Sequence, residues 1–351
     1  MPPGSTGVAG VAGVAALNAL LWVAFCRSSS AQTAPATAPL FQSAEPLVLQ
    51  LRTDLRALFR DRSERRVEHR ATLRFASGND TGSLKVDLRT RGIFRLKRCS
   101  FPPIRIDVPA RKVEGTPFAG QDKIKLVTHC QGDGSSERNL LKEYALYRAF
   151  NALTDTSFRV RLARITYIDT TRADTVTRYG FLIESDDELA RRLGAAELVA
   201  DKVPDFVTDT SYMTLVAVFQ YLIGNTDWSV WGRHNIVILR DTLGMLAVPY
   251  DFDFSGAVGA HYAVPPEQLP IKSVRERLYR GYCHPDTVLN PILARFRAAK
   301  DSIYAAVRAV PDLPERDVRG MLGYFDDFFR AIDDRGTVQR EFLRRCRALP
   351  Q

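Results

Sequence analysis

The period of the hydrophobic pattern changes once along the chain, and that change limits the fold more than any other feature. Between residues 71 and 108 the segments ATLRFA, SLKVDLRTRG and PIRIDV alternate apolar with polar or charged residues, the mark of strands with one buried face. IKLVTH (124–129) follows a Gly-containing turn at 118–121. A helix comes next, capped by Ser135 or Ser136, with Leu140, Leu141, Tyr144, Tyr147 and Phe150 on one face. Two more strands, RLARITYID (161–169) and TRYGFLIE (177–184), enclose a polar turn. After Glu184 the texture becomes helical: DDELARRLG (186–194), the strongly apolar SYMTLVAVFQYLIG (211–224), and most of 286–347, broken by Pro311 and Pro314. NIVILRDTLGMLAVPYDFDF (235–254) reads as a strand pair around Asp241-Thr242-Leu243-Gly244. The fold class expected is α+β in two lobes, a strand-rich N-lobe with one key helix over residues 47–184 and a mainly helical C-lobe over 185–351. A length of 351 residues suits two such units.

The N-terminus reads differently. Val8 to Cys26 carries no charged side chain, and Arg27 is followed by Ser28-Ser29-Ser30-Ala31. An apolar core before a small-x-small pattern has the form of a secretory signal peptide over residues 1–31. An uncleaved segment of this length nearly spans a bilayer, so a retained N-terminal anchor is the alternative. Residues 32–46 are rich in Pro, Ala and Thr and are expected to be a linker. The expected location is therefore exported: periplasm, cell surface or secreted, with possible envelope association. Cleavage leaves Cys99, Cys130, Cys283 and Cys346, an even number in an oxidising compartment. Of the three connectivities, Cys99–Cys130 with Cys283–Cys346 puts one staple in each half. No CxxC occurs and the five histidines show no zinc-type spacing.

The densest polar chemistry lies in 224–255, where GNTDWSVWGRHN leads into the strand pair and VPYDFDFSG closes it. Asp227, His234 and Asn235 fall on the loop, and Asp251 and Asp253 end the returning strand. Loop and hairpin carboxylates with an amide beside them are the oxygen donors that a divalent cation shares with phosphate. One Asp away from the metal can orient or deprotonate a hydroxyl. In the first half Lys125 lies on the strand leading into the helix that carries Glu143, an arrangement by which kinases hold phosphates. Arg89, Arg91, Arg95 and Lys97 flank Gly92 and offer anion contacts.

On these residues the chain resembles the spore-coat-protein-H (CotH) kinase family, atypical kinases with a two-lobed protein-kinase-like fold. The likeness runs in order from about residue 84 to 255 through KVDLRTRG, FAGQDKIKLVTHC, NLLKEYALYRAF, YGFLIESDDELARR, GNTDW, HN and PYDFDFSG. It implies Lys125 on ATP phosphates, beside the anion contacts already read at Arg89 and Arg91, with Glu143 as the partner of Lys125 and Glu184 in the hinge segment. It further implies Asp227 as catalytic base with His234 beside it, Asn235 as metal ligand and Asp251 or Asp253 as the metal Asp, for Mg²⁺ or Mn²⁺. Two departures stand out. Seven residues separate Asp227 from Asn235, where kinase loops usually place about four, and the Gly-rich loop of protein kinases is missing.

The function expected is an ATP-dependent phosphotransferase acting on a hydroxyl of protein Ser/Thr or a glycan. Two rivals are a catalytically inactive binding or scaffold module and an AMP-transferring or nucleotide-hydrolysing enzyme. Lys+Arg 49 against Asp+Glu 40 gives +9, which suits an anionic partner. The arginine-rich strand has no aromatic stacking ladder, which argues against nucleic acid.

Overall fold

The computed structural model describes residues 37–349, apart from 64, 79, 173, 200 and 201. The proposed signal segment lies outside the described residues. Among those described, no helix is long and apolar enough to cross a membrane.

The strand-rich part contains β1 (Leu47–Thr53), β2 (His69–Ser77), β3 (Asp80–Thr90), β4 (Ile104–Asp107), β5 (Lys123–Val127), β6 (Val160–Asp169) and β7 (Thr175–Ile183). Three helices interrupt it: α1 (Leu55–Arg60), α2 (Phe94–Arg98) and α3 (Gly134–Leu153). The strands close into a barrel in the order β1-β2-β3-β4-β5-β7-β6. Closure is made by β6 lying parallel to β1, with Leu47 opposite Ala163 and Thr53 opposite Asp169. The sequence pattern indicates strands but not this closure, which depends on β1 (LVLQLRT), a strand directly after the expected linker, pairing with β6. A closed barrel leaves no free sheet edge, which sets this half apart from an open kinase-type sheet.

Alternation along the strands divides the apolar residues between two cores. Leu49, Leu51, Leu73, Leu88, Ile106, Leu126 and Tyr167 fill the barrel. On the opposite face of β5–β7, Val127, Leu162, Phe181 and Ile183 pack with α3 residues such as Tyr147 and Phe150. Asp133, rather than Ser135 or Ser136, caps α3 by accepting from the Ser136 amide at 2.8 Å. Residues 37–46 are not a free tether: Leu40 and Phe41 are buried in the barrel core. The buried Arg161 guanidinium donates to the carbonyls of Leu40 (3.2 Å) and Glu45 (3.1 Å).

After β7 come α4 (Asp186–Arg192), β8 (Ala196–Glu197), α5 (Thr210–Ile223), β9 (Ile236–Arg240) and β10 (Met245–Pro249). The last helices are α6 (Asp286–Arg308), α7 (Glu315–Asp333) and α8 (Arg335–Val338). The short strands form a second sheet, β10-β9-β8. Helix α5 is buried along its length from Tyr212 to Ile223, and it shares its core with α3, α6 and α7. The segment 276–283 is irregular; Arg277 and Arg280 there donate to the carbonyls of Tyr221 and Trp228. Both disulfides pair as expected, Cys99–Cys130 and Cys283–Cys346, a pattern that accords with an oxidising location.

Candidate active site

Helix α5 stops at Gly224, whose φ of 65° is left-handed. A Cβ at this position would lie 2.0 Å from the Tyr324 hydroxyl, so the turn needs glycine for both backbone and space. The chain then folds back on itself. Asn225 Oδ1 accepts from the Asp227 amide (3.0 Å), and Ser229 and His234 exchange two backbone hydrogen bonds of 2.9 Å. This pinch closes residues 230–233 into a loop of their own, with Val230 buried and Trp231 and Gly232 exposed, which is how a seven-residue spacing still lets Asp227 and Asn235 meet. Asn235 Nδ2 donates to Asp227 Oδ2 (3.0 Å) and to the Asp227 carbonyl (2.8 Å). His234 Nε2 lies 2.9 Å from Asp227 Oδ1, and this hydrogen bond to Asp227 holds the imidazole pKa above its usual value. Of the loop tryptophans, Trp228 is buried and Trp231 is exposed.

Strand β10 delivers the other carboxylates. Asp251 adopts φ 60° and Asn235 φ 54°, conformations that cost non-glycine residues energy and concentrate at functional sites. The Asp251 amide donates to the Tyr147 hydroxyl of α3 at 2.7 Å. Asp253 is buried and accepts from the Tyr262 hydroxyl at 2.9 Å.

At the centre stands Arg95, on α2. Its Nη2 lies 2.7 Å from Glu143 Oε2, 2.9 Å from Asp253 Oδ2 and 3.3 Å from Asp251 Oδ1. One guanidinium thus bridges the strand half, helix α3 and the β10 hairpin. Burial pushes Glu143 up to about 8 and Asp253 up to about 6, against the pull of Arg95. Burial opposes the charge on Arg95 too, yet Asp253, Glu143 and Asp251 hold its pKa well above the ordinary guanidinium value. Glu143 Oε1 is buried without a hydrogen-bond partner, so this carboxylate has unused capacity.

These groups line a cavity of about 540 Å³, within the size range of small-molecule sites. Its walls include Arg91, Arg95, Val127, Glu143, Tyr147, Ile183, Asp227, Arg233, His234, Asn235, Tyr250, Asp251 and Asp253. Of the ten residues given a catalytic, nucleotide or metal role from the sequence, seven therefore converge here: Arg91, Glu143, Asp227, His234, Asn235, Asp251 and Asp253.

Three do not. Lys125 is not the partner of Glu143. It pairs with Asp186 Oδ1 at 2.6 Å and lies over the Phe158 ring at 5.5 Å. The reason is register: Val127, two residues and about 6.6 Å further along the strand, takes the position beside the cavity, and Arg95 takes Glu143. Glu184 is buried away from the cavity, held by Arg192 Nε (2.7 Å) and Nη2 (2.9 Å) and by the Arg159 amide (3.1 Å). Arg89 sits on β3 opposite Arg105 of β4, outside the cavity wall.

The sequence reading missed the role of Arg95, because a five-residue helix leaves no periodic signal and the arginine was grouped with its basic neighbours around Gly92. Tyr147 was read as core alone, although its hydroxyl anchors Asp251.

The donor set is all oxygen near Asn235, Asp251 and Asp253. Among the described residues no group of three His, Cys, Asp or Glu is arranged to hold a metal ion. A divalent cation would therefore depend on phosphate oxygens to complete its shell, which is how Mg²⁺ is usually bound. The residues present fit that mode: the Asp251 side chain is 41% exposed toward solvent.

No protein-family profile matches the sequence, and no curated protein matches it. Among solved structures the chain is similar to the Helicobacter pylori proinflammatory kinase CtkA, with a TM-score of 0.39 at 10% identity, over 65% of this chain and 91% of that one.

Proposed function

We propose that the cavity binds a nucleoside triphosphate with a divalent cation and passes its γ-phosphoryl group to a hydroxyl acceptor, protein Ser/Thr in the first instance. The observation that carries the reading is the convergence of Asp227, Asn235, Asp251, Asp253 and Glu143 on one cavity that also holds Arg91, Arg95 and Arg233. Phosphoryl transfer asks a protein mainly for positioning and charge compensation, and this wall supplies both. Arg95 replaces Lys125 as the cation beside the phosphates. Asp227 accepts the acceptor's proton or aligns its hydroxyl, with His234 and Asn235 fixing the carboxylate. Asn235 and Asp251, with Asp253 behind them, would hold Mg²⁺ or Mn²⁺. That ion, when bound, supplies charge neutralisation of the phosphates. The order of motifs that resembles CotH kinases favours the kinase part of this reading, and the two disulfides accord with export.

A second reading has its own observation. Arg95 already pairs with three of the four acidic side chains of the cavity, Glu143, Asp251 and Asp253, as expected of a binding or scaffold module that no longer turns over.

One experiment separates them. The full chain is incubated with ATP labelled at the γ- or the α-phosphate, with Mg²⁺ or Mn²⁺ and Ser/Thr-rich or glycan acceptors. Transfer of γ-label that Asp227→Asn abolishes supports the kinase reading. Transfer of α-label points to AMP transfer, binding without transfer to the scaffold module, and no binding overturns the nucleotide site.

A further inference from the structure

One nitrogen, Arg95 Nη2, serves Glu143, Asp253 and Asp251 at 2.7, 2.9 and 3.3 Å, and Arg95 Nε adds a contact to Asp253 Oδ2 at 3.1 Å. These are hydrogen-bond lengths to a nitrogen. Mg²⁺ holds its oxygens at about 2.0–2.1 Å, so the same carboxylates would have to close in around it once the guanidinium had left. That accords with the finding that, among the described residues, no three acidic or metal-ligating side chains are arranged for an ion. Glu143 borders the cavity, and its Oε1 is buried without a hydrogen-bond partner. A single positive charge thus faces three carboxyl groups, one of which has an oxygen still unused. The backbone under Arg95 is fixed. The Cys99 amide donates to the Arg95 carbonyl at 2.8 Å, and Cys99 is bonded to Cys130. Arg62 Nη2 donates to the Cys99 carbonyl (2.9 Å) and Gln131 Nε2 to the Arg98 carbonyl (2.8 Å). Since Arg95 itself borders the cavity, its guanidinium can leave the carboxylates by turning its own side chain, with α2 staying in place.

We infer that Arg95 is a positioning residue that stands in the place of the divalent cation: it keeps Asp251 and Asp253 until the phosphates of a nucleotide offer the guanidinium another anion, so that the metal is admitted with the nucleotide and refused alone. This rests on the nucleotide reading and adds the coupling between its two ligands. The reason is charge. A guanidinium pairs with phosphate as well as with carboxylate, so a triphosphate in the cavity gives Arg95 somewhere to go. Without phosphate, a divalent ion meets a positive charge 2.9 and 3.3 Å from the Asp253 and Asp251 oxygens it needs, and like charges at that range repel strongly. The coupling runs both ways, since whatever phosphate does for the metal, the metal does for phosphate.

The test measures Mn²⁺ binding to the full chain by loss of the free-ion electron paramagnetic resonance signal, and thermal shift with Mn²⁺ alone, ATP alone and both. It compares the wild type with Arg95→Met and with Arg91→Met, which removes a cavity arginine outside the carboxylate cluster. The wild type is expected to be stabilised by Mn²⁺ with ATP and not by Mn²⁺ alone. Arg95→Met should bind Mn²⁺ without nucleotide at least about tenfold more tightly than the wild type, and Arg91→Met should stay within about threefold of it. Saturable binding of Mn²⁺ alone by the wild type overturns the inference, and that arm decides even if Arg95→Met fails to fold. Arg95→Met with wild-type Mn²⁺ affinity overturns it too, as does an equal gain in Arg91→Met; in each case ATP binding leaves the nucleotide site standing. Tighter Mn²⁺ binding in Arg95→Met, with no ATP binding by any of the proteins, upholds the competition between Arg95 and the cation and overturns the nucleotide reading.

Discussion

Replacing Arg95 by Met removes the single cation shared by Glu143, Asp251 and Asp253 while keeping most of the side-chain volume. Asp251 is 41% exposed and retains its hydration, so the cost falls on Glu143 and Asp253, which are 2% and 6% exposed. Breaking a fully ionised buried pair from one side costs about 3–5 kcal/mol; Glu143, pushed up to about 8, is largely protonated at pH 7.5, so the loss expected there falls mainly on Asp253 and is about 2–3 kcal/mol. The loss depends on pH in a definite direction. Burial already pushes both carboxyls upward with Arg95 in place, Asp253 to about 6 and Glu143 to about 8, and without it they rise further. The folded variant then keeps protons that the unfolded chain gives up above about pH 4.5, so its stability falls as pH rises. At pH 5 little of that penalty is present, and the deficit should shrink to about 1–2 kcal/mol. Guanidinium unfolding at both pH values, followed by tryptophan fluorescence with disulfides intact, measures it. A loss below about 1 kcal/mol at pH 7.5, or a deficit that grows toward low pH, would refute the reasoning.

His129 is buried, and burial depresses its pKa to about 4. The unfolded chain takes up that proton first as pH falls from about 6.5, so stability should drop by about 3 kcal/mol between pH 6.5 and 4. His129→Phe, packed against Phe101 and Tyr167, should flatten that part of the stability profile; an unchanged slope would count against a buried neutral imidazole. Converting Cys283 and Cys346 to Ala opens a crosslink spanning 63 residues and should cost about 4 kcal/mol by chain entropy, read as a lower denaturant midpoint. A midpoint unchanged from wild type would mean that this staple constrains nothing.

Local pattern carried much of the architecture. Strands β2 to β7, with α3 in its place, follow from period-two alternation and one amphipathic run, and α5 from an apolar stretch closed by Gly224. Barrel closure was not legible, since it depends on which strands pair across more than a hundred residues, as Leu47 does with Ala163. The carboxylates of the candidate site were legible because loop and hairpin positions crowd them into thirty residues of sequence. Their cation was not. A lysine on the strand before the Glu143 helix looked suited to the role, but a two-residue register difference turned it to Asp186 and left Glu143 to Arg95, an arginine 48 positions earlier in the chain. The long Asp227–Asn235 spacing looked like a defect in the loop, and the Ser229–His234 bridge shows how it is absorbed.

Metal-dependent nucleotide binding at the β10 hairpin is the claim on which the rest depends. Thermal shift of the full chain with ATP and Mg²⁺, Mn²⁺ or no metal, compared with Asp251→Ala, tests it directly. Asp251 suits the purpose because it is half-exposed and its removal spares the buried Arg95–Glu143 contact. The account predicts a stabilisation of the wild type that requires the metal and disappears in the variant. No shift under any metal, or an equal shift in Asp251→Ala, would contradict it.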